Sequence, residues 1–164
     1  MARWSTVVPS WTPTAVADTT NMTDNGHHTL QGGSTTQRCE LREVYMGGQA
    51  GASAPCIMVL GRNSTVGATL TAARNAALDP STAALAAPPL PYVASTTKPQ
   101  RATASGMLLN LGFNAFGGIV RWVNGPDEII SLLGNTQPLG ELSLNAFTGG
   151  TVGALSSGII YEAL

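Results

Sequence analysis

Gly106–Gly134, GMLLNLGFNAFGGIVRWVNGPDEIISLLG, is the stretch that decides the fold class. Met107, Leu109, Leu111 and Phe113 alternate with Leu108, Asn110, Gly112 and Asn114, a period of two that lays one apolar row along one face of a strand. Asn114–Gly118 is a cluster of turn residues, Ile119–Val123 a second apolar run, and Asn124–Asp127 a second turn. Glu128–Leu133 supplies a third run. Three short apolar runs separated by turn signals predict an antiparallel meander at the core of an all-β fold, a jelly-roll-like β-sandwich.

The flanking chain extends that reading. Gln37–Met46 is strand-like, with Cys39, Leu41 and Tyr45 on one side and Val44 and Met46 on the other. Glu43 falls in the apolar row, so either a bulge re-registers the strand or that face meets a partner. Arg38, Glu40 and Arg42 share a face and read as a solvated row of alternating sign. Cys56–Leu60 is a short continuous apolar run suited to a strand buried on both sides. Downstream, Leu142, Leu144 and Ala146 alternate with Glu141, Ser143 and Asn145, and Val152–Leu164 reads as a terminal strand tied into a sheet. Seven or eight strands result, enough for two packed sheets.

Two regions depart from this pattern. Residues 1–30 read as an extended N-terminal arm ahead of a sandwich domain over 31–164, because Pro9 and Pro13 interrupt a regular ladder. Trp4 and Trp11 are its large anchors, either covering the core of their own subunit or filling pockets in a neighbour. On the arm reading, deleting residues 1–14 leaves folding intact. Residues 65–106 form a long Ala/Pro/Thr-rich excursion: Leu70–Leu78 suits two helical turns stopped by Pro80, Pro88–Pro91 is extended, and Ser95–Ser105 reads as loop.

Composition narrows the function classes. Charged residues are 10% of the 164, with a net charge of −1, while Gly (19) and Pro (10) are plentiful. So little charge suits a chain packed against neighbours, as in an assembly. Eight Lys and Arg without a basic run argue against nucleic acid as a partner. Without a long apolar run or a signal-peptide pattern, the expectation is no membrane and folding in a cytoplasm. Cys39 and Cys56 can pair if their strands are neighbours, but a reducing compartment favours two buried thiols, and two cysteines are too few for a metal site.

No catalytic constellation stands out. Asp24, His27 and His28 are the one cluster of ligand-type residues, and adjacent histidines on extended backbone point apart, so a polar turn is the expectation. No serine sits in a G-x-S-x-G elbow, no phosphate or dinucleotide loop occurs, and Asp127-Glu128 looks like turn chemistry. The chain is therefore expected to be no enzyme and to carry no cofactor or metal. Arg121-Trp122 reads either as an edge Trp with an exposed Arg or as a subunit contact. Phe116, in the turn before it, joins Trp4, Trp11, Arg121 and Trp122 as the expected interface set.

With TTQRCELREVYMGG (Thr35–Gly48), NAFGGIVRWV (Asn114–Val123) and SSGIIYEAL (Ser156–Leu164) on the page, the chain resembles the capsid decoration (cement) proteins of tailed bacteriophages. The likeness spans about residues 15–164. It implies a homotrimer on the outside of a virion assembled in the host cytoplasm, bridging major capsid protein subunits through an arm. The rival reading is a receptor- or glycan-binding head of a tail fibre or spike, with Trp122 and Asn124 at its groove. A third is a small carbohydrate-active enzyme using Asp127 or Glu128.

Overall fold

The computed structural model describes residues 2–13, 27–97, 100–101, 106–136, 140–148 and 153–164. It is all-β: two antiparallel sheets packed face to face as a β-sandwich, with no helix among the described residues. Sheet A runs β10 (Ile119–Val123), β3 (Arg38–Gly48), β13 (Leu155–Ala163), β1 (Arg3–Trp11), β6 (Arg74–Ala77), with β11 (Ser131–Leu133) also on β3. Sheet B runs β5 (Ala68–Ala72), β7 (Leu90–Thr97), β2 (His27–Gln31), β12 (Glu141–Thr148), β4 (Pro55–Thr65), β8 (Gln100–Arg101), with β9 (Met107–Asn114) also on β4. Among the described residues thirteen strands replace the seven or eight expected, since each long strand borders several short ones.

The core lies between the sheets. Leu30, Met58, Leu60, Leu142 and Leu144 from sheet B meet Leu41, Val44, Met46, Leu155, Ile159 and Tyr161 from sheet A, all fully buried. Each such side chain contributes about 1.5–3 kcal/mol of apolar burial. The alternation of β12 is as expected, with Leu142, Leu144 and Ala146 turned to this core. In β3 the bulge is real: Ile160 pairs with Glu43 and Tyr161 with Leu41, so Arg42 is the extra residue. That extra residue reverses the parity, bringing Val44 and Met46 inward with Cys39 and Leu41. Tyr45 therefore faces out, against the expectation, and its ring covers Gly158, where a Cβ would lie 2.1 Å from Tyr45 Cζ.

Three further expectations are corrected. The N-terminal arm is not an arm over Arg3–Trp11: β1 lies inside sheet A, pairing with β13 on one side and β6 on the other. Trp4, Thr6 and Val8 alternate inward, and the strand tolerates Pro9 because the register shifts between Val8 and Trp11. His27–Gln31 is likewise a strand, and residues 14–26, with Asp24, lie outside the described residues. The helix over Leu70–Leu78 is instead β5 and β6, and the expected loop from Ser95 holds the end of β7 and all of β8. β-Pairing to β7 and β1 overrides the weak 3.6 period of a stretch with few large apolar residues.

The meander is the third correction. β9 pairs with β4 in sheet B, whereas β10 and β11 both pair with β3 in sheet A. The corner between them is fastened to both sheets: Ala115 N–H donates to Ala54 O, Ala50 N–H to Ala115 O, and Gly48 N–H to Gly118 O. Gly117 takes φ of 68° there, a conformation open to glycine. β9 and β10 are thus the rims of two sheets, one on each side of the sandwich mouth.

Candidate interface and buried polar clusters

The rim is where the apolar residues are least covered. Leu109, Leu111 and Phe113 on β9 and Val120 and Trp122 on β10 point toward the core yet stay half-buried. Around them Phe116 is 59% exposed, Ile119 71%, Val123 53% and Met107 48%. Ile119, Arg121 and Val123 form the outward row of β10. Arg121 is exposed, and its guanidinium is already held by Glu43, Nε to Oε1 and Nη2 to Oε2, both at 2.7 Å. That bidentate pair raises the Arg121 pKa further and leaves the patch electrically neutral.

Of the five expected interface residues, Phe116, Arg121 and Trp122 gather at this corner. Trp4 and Trp11 do not: β1 lies three strands along the sheet from β10. Trp11 is 4% exposed, and its indole N–H donates to Ser157 Oγ at 3.0 Å. Trp4 packs half-buried on the same core, its Nε1 finding no acceptor among the described residues. Both anchor their own subunit. Ile119, Val123 and Met107 were missed, although their apolar character at alternating positions was the signal.

Two polar clusters lie inside the fold. In the core, Trp11 N–H donates to Ser157 Oγ, which lies 3.1 Å from His28 Nδ1, while His28 Nε2 lies 3.1 Å from Thr6 Oγ1. Two arrangements satisfy a neutral ring: the Ser157 hydroxyl donates to Nδ1 and Nε2–H donates to Thr6, or Nδ1–H donates to Ser157 and the Thr6 hydroxyl donates to Nε2. The imidazole is then neutral, and burial, with a smaller effect of His27, pushes its pKa down to about 3. The histidines diverge across the strand as expected, but they are fully buried on β2 rather than placed in a turn.

The second cluster is on the opposite face of sheet B. β4 and β5, at the two ends of the path β5-β7-β2-β12-β4, are joined by Val66–Gly67 alone, which spans roughly 11 Å at most. The sheet therefore curls over this face, and Gly67 N–H donates to Tyr92 OH at 3.2 Å. Enclosed are Glu141, Ser143, Asn63, Thr29, His27 and Tyr92, all with no exposed surface. Asn63 Nδ2 donates to Glu141 Oε1 at 2.5 Å and to Ser143 Oγ at 2.7 Å. Ser143 Oγ lies 2.5 Å from Thr29 Oγ1, and Thr29 Oγ1 lies 2.8 Å from His27 Nδ1, whose ring meets Tyr92 edge to face at 5.5 Å. Burial pushes Glu141 up to about 7, partly offset by hydrogen bonds from Asn63 and Tyr92. Burial and the neighbouring Glu141 charge also raise Tyr92.

Two more features bear on chemistry. The expected Arg38/Glu40/Arg42 row is an ion-pair ladder rather than a solvated row. Arg38 and Arg42 flank Glu40 at 3.0 and 2.9 Å, and Arg42 reaches Glu162 at 2.7 Å, with Glu40 and Glu162 nearly buried. Beside it, Arg3, Arg42, Val123, Asn124, Gly125 and Pro126 line an open cleft of about 300 Å³. Cys39 and Cys56 are free and buried on different sheets, and burial pushes both thiols up, Cys39 to about 11. Among the described residues no three His, Cys, Asp or Glu side chains group closely enough to hold a metal.

No protein-family model matches the chain, and no curated protein does. Among solved structures, one match is a mutant VP2 protein of infectious bursal disease virus in derived T=1 particles. It is 13% identical, over 96% of this chain and 40% of that one, with a TM-score of 0.13. A likeness of that size carries no argument about fold or function.

Proposed function

We propose that this chain is a virion structural protein that decorates and stabilises a bacteriophage capsid from outside, binding major capsid protein and further copies of itself. The observation that supports it is the apolar corner at Phe116, Ile119 and Val123, beside which the Arg121 guanidinium is already paired with Glu43. Such a surface gains by being covered with protein and offers no reacting group. The jelly-roll-like arrangement, the threefold assembly and the virion location belong to this reading through the resemblance. The attachment now falls to the corner, since β1 is committed to its own sheet. Because burial of apolar area drives it, attachment is only weakly sensitive to salt.

The test is co-sedimentation with capsid shells stripped of their outer protein, at low and high salt. Phe116→Asp removes a contact worth about 1.5–3 kcal/mol if fully buried, so binding weakens tenfold or more. Binding unchanged by that substitution, or no binding of the parent to any shell, overturns the reading. The glycan-binding head is the second reading, favoured by the cleft at Asn124. Trp122, its expected stacking platform, packs toward the core instead. Copy number separates the two: hundreds per particle for a coat, tens or fewer for a fibre.

A further inference from the structure

We propose that two copies of this chain pair through the edge of β9, antiparallel about a twofold axis at Leu111, joining two copies of sheet B into one. The inference takes up the self-association in the reading above, not the shell binding, and puts a twofold pair in place of the threefold assembly. β9 is bonded on one side only, to β4, and no described strand lies on its other side. The Ala115 N–H bond to Ala54 O fixes which residues face β4: Phe113, Leu111 and Leu109, opposite Cys56, Met58 and Leu60. Asn110 and Gly112 therefore direct their backbone N–H and C=O groups outward.

The sequence of this edge suits a second copy of itself. MLLNLGFN contains no charge and no proline, two devices that keep an exposed edge from pairing, and its one register shift, at Leu108, lies outside Leu109–Phe113. With the axis at Leu111, Leu111 faces its own counterpart and Leu109 faces Phe113, so three half-exposed apolar side chains cover one another. On the other face Asn110 falls opposite Gly112, where a Cβ would meet nothing within 4 Å and the amide has room to lie flat. Asn110 and Gly112 then exchange two backbone bonds on each side of the axis. A stable pair buries roughly 800 Å² per partner, more than a strand edge supplies, and the exposed Met107, Phe116 and Ile119 beside the edge furnish flanking apolar surface. A net charge of −1 opposes the approach of two copies very little. The twofold register calls for pairs rather than the threefold assembly that the resemblance implies.

Sedimentation velocity across a concentration series, on the full chain, should show a monomer–dimer equilibrium. Gly112→Lys, placed in open space on an exposed strand, should shift it at least tenfold toward monomer while the far-ultraviolet spectrum is unchanged. The register is read by oxidation: Leu111→Cys should form a covalent dimer, since facing residues of this type of pair lie about 4.5 Å apart, within disulfide reach. Asn110→Cys, facing Gly112, should not; the native thiols are buried and give a low background. A parent monomeric at every concentration, a trimer indifferent to Gly112→Lys, or cross-linking through Asn110→Cys but not Leu111→Cys overturns the proposal. A chain that pairs but ignores shells removes the capsid reading and keeps this one; a chain that coats shells as single subunits does the reverse.

Discussion

Replacing Glu141 by Gln tests the enclosed polar cluster most directly. Glu141 has no exposed surface, and burial holds its pKa near 7 against the ordinary 4.5. Asn63 donates to Oε1, and Oε2 finds no partner among the described residues. Below about pH 4.5 folded and unfolded chains are both protonated. Between there and about 7 the unfolded chain releases its proton and the folded one keeps it, so stability falls as pH rises and levels off above. A difference of 2.5 units at 1.36 kcal/mol each is about 3 kcal/mol. Gln keeps an acceptor for Asn63 and has no proton to lose. Urea unfolding of parent and Glu141→Gln from pH 5 to 8.5 should give profiles that draw together toward the acid side, to within about 1 kcal/mol at pH 5, and part by about 3 kcal/mol above pH 7. At about 2 kcal/mol per molar urea, that is a midpoint shift of roughly 1.5 M in favour of the variant. Every other titrating group is common to both proteins and cancels in the difference. Parallel profiles across the whole range refute the reasoning, because they mean that the carboxyl is ionised in the folded protein at all of these pH values.

His28 works in the opposite sense. Its folded pKa of about 3 lies below the ordinary 6.5, so stability present above pH 6.5 is lost as pH falls toward 3, by up to about 5 kcal/mol; His28→Gln should flatten that acid limb in the same urea series. Trp11→Phe removes the donor to Ser157 and should cost about 1–3 kcal/mol at neutral pH, read as a lower urea midpoint with an unchanged slope. Deleting residues 1–13 removes a strand bonded on both sides and should abolish cooperative unfolding, the reverse of what the arm reading expects; a truncated chain with a sharp thermal transition contradicts the placement of β1.

What the sequence made legible, and what it hid, follows from what alternation encodes. A period of two says which residues share a face, so β12 and β9 are readable as strands, and Glu43 in an apolar row signals either a bulge, which β3 has, or a partner. It does not say what covers that face. The row Glu141, Ser143, Asn145 has the polarity of a solvent-facing strand, yet it is buried because sheet B closes over it through Val66–Gly67, a link to a strand whose sequence has a helix's spacing. Likewise RWSTVVPSW carries a strand's alternation, but two prolines and the terminal position outweighed it, and only the pairing with β13 and β6 reveals Trp4 and Trp11 as core residues.

The central stretch fails in a more informative way. Its three runs are strands, and turns do separate them, but neighbours in sequence became rims of different sheets. In a meander β10 would have bonded the free side of β9, and Leu109, Leu111 and Phe113 would lie under a complete sheet. Instead the chain at Ala115 steps across the sandwich, and among the described residues both strands keep an unbonded side and a half-covered apolar row. The strength of the pattern that made 106–134 look like the centre of a core is the same property that leaves it incomplete in one subunit. An apolar strand of this length without a charge to guard its edge invites pairing with another strand.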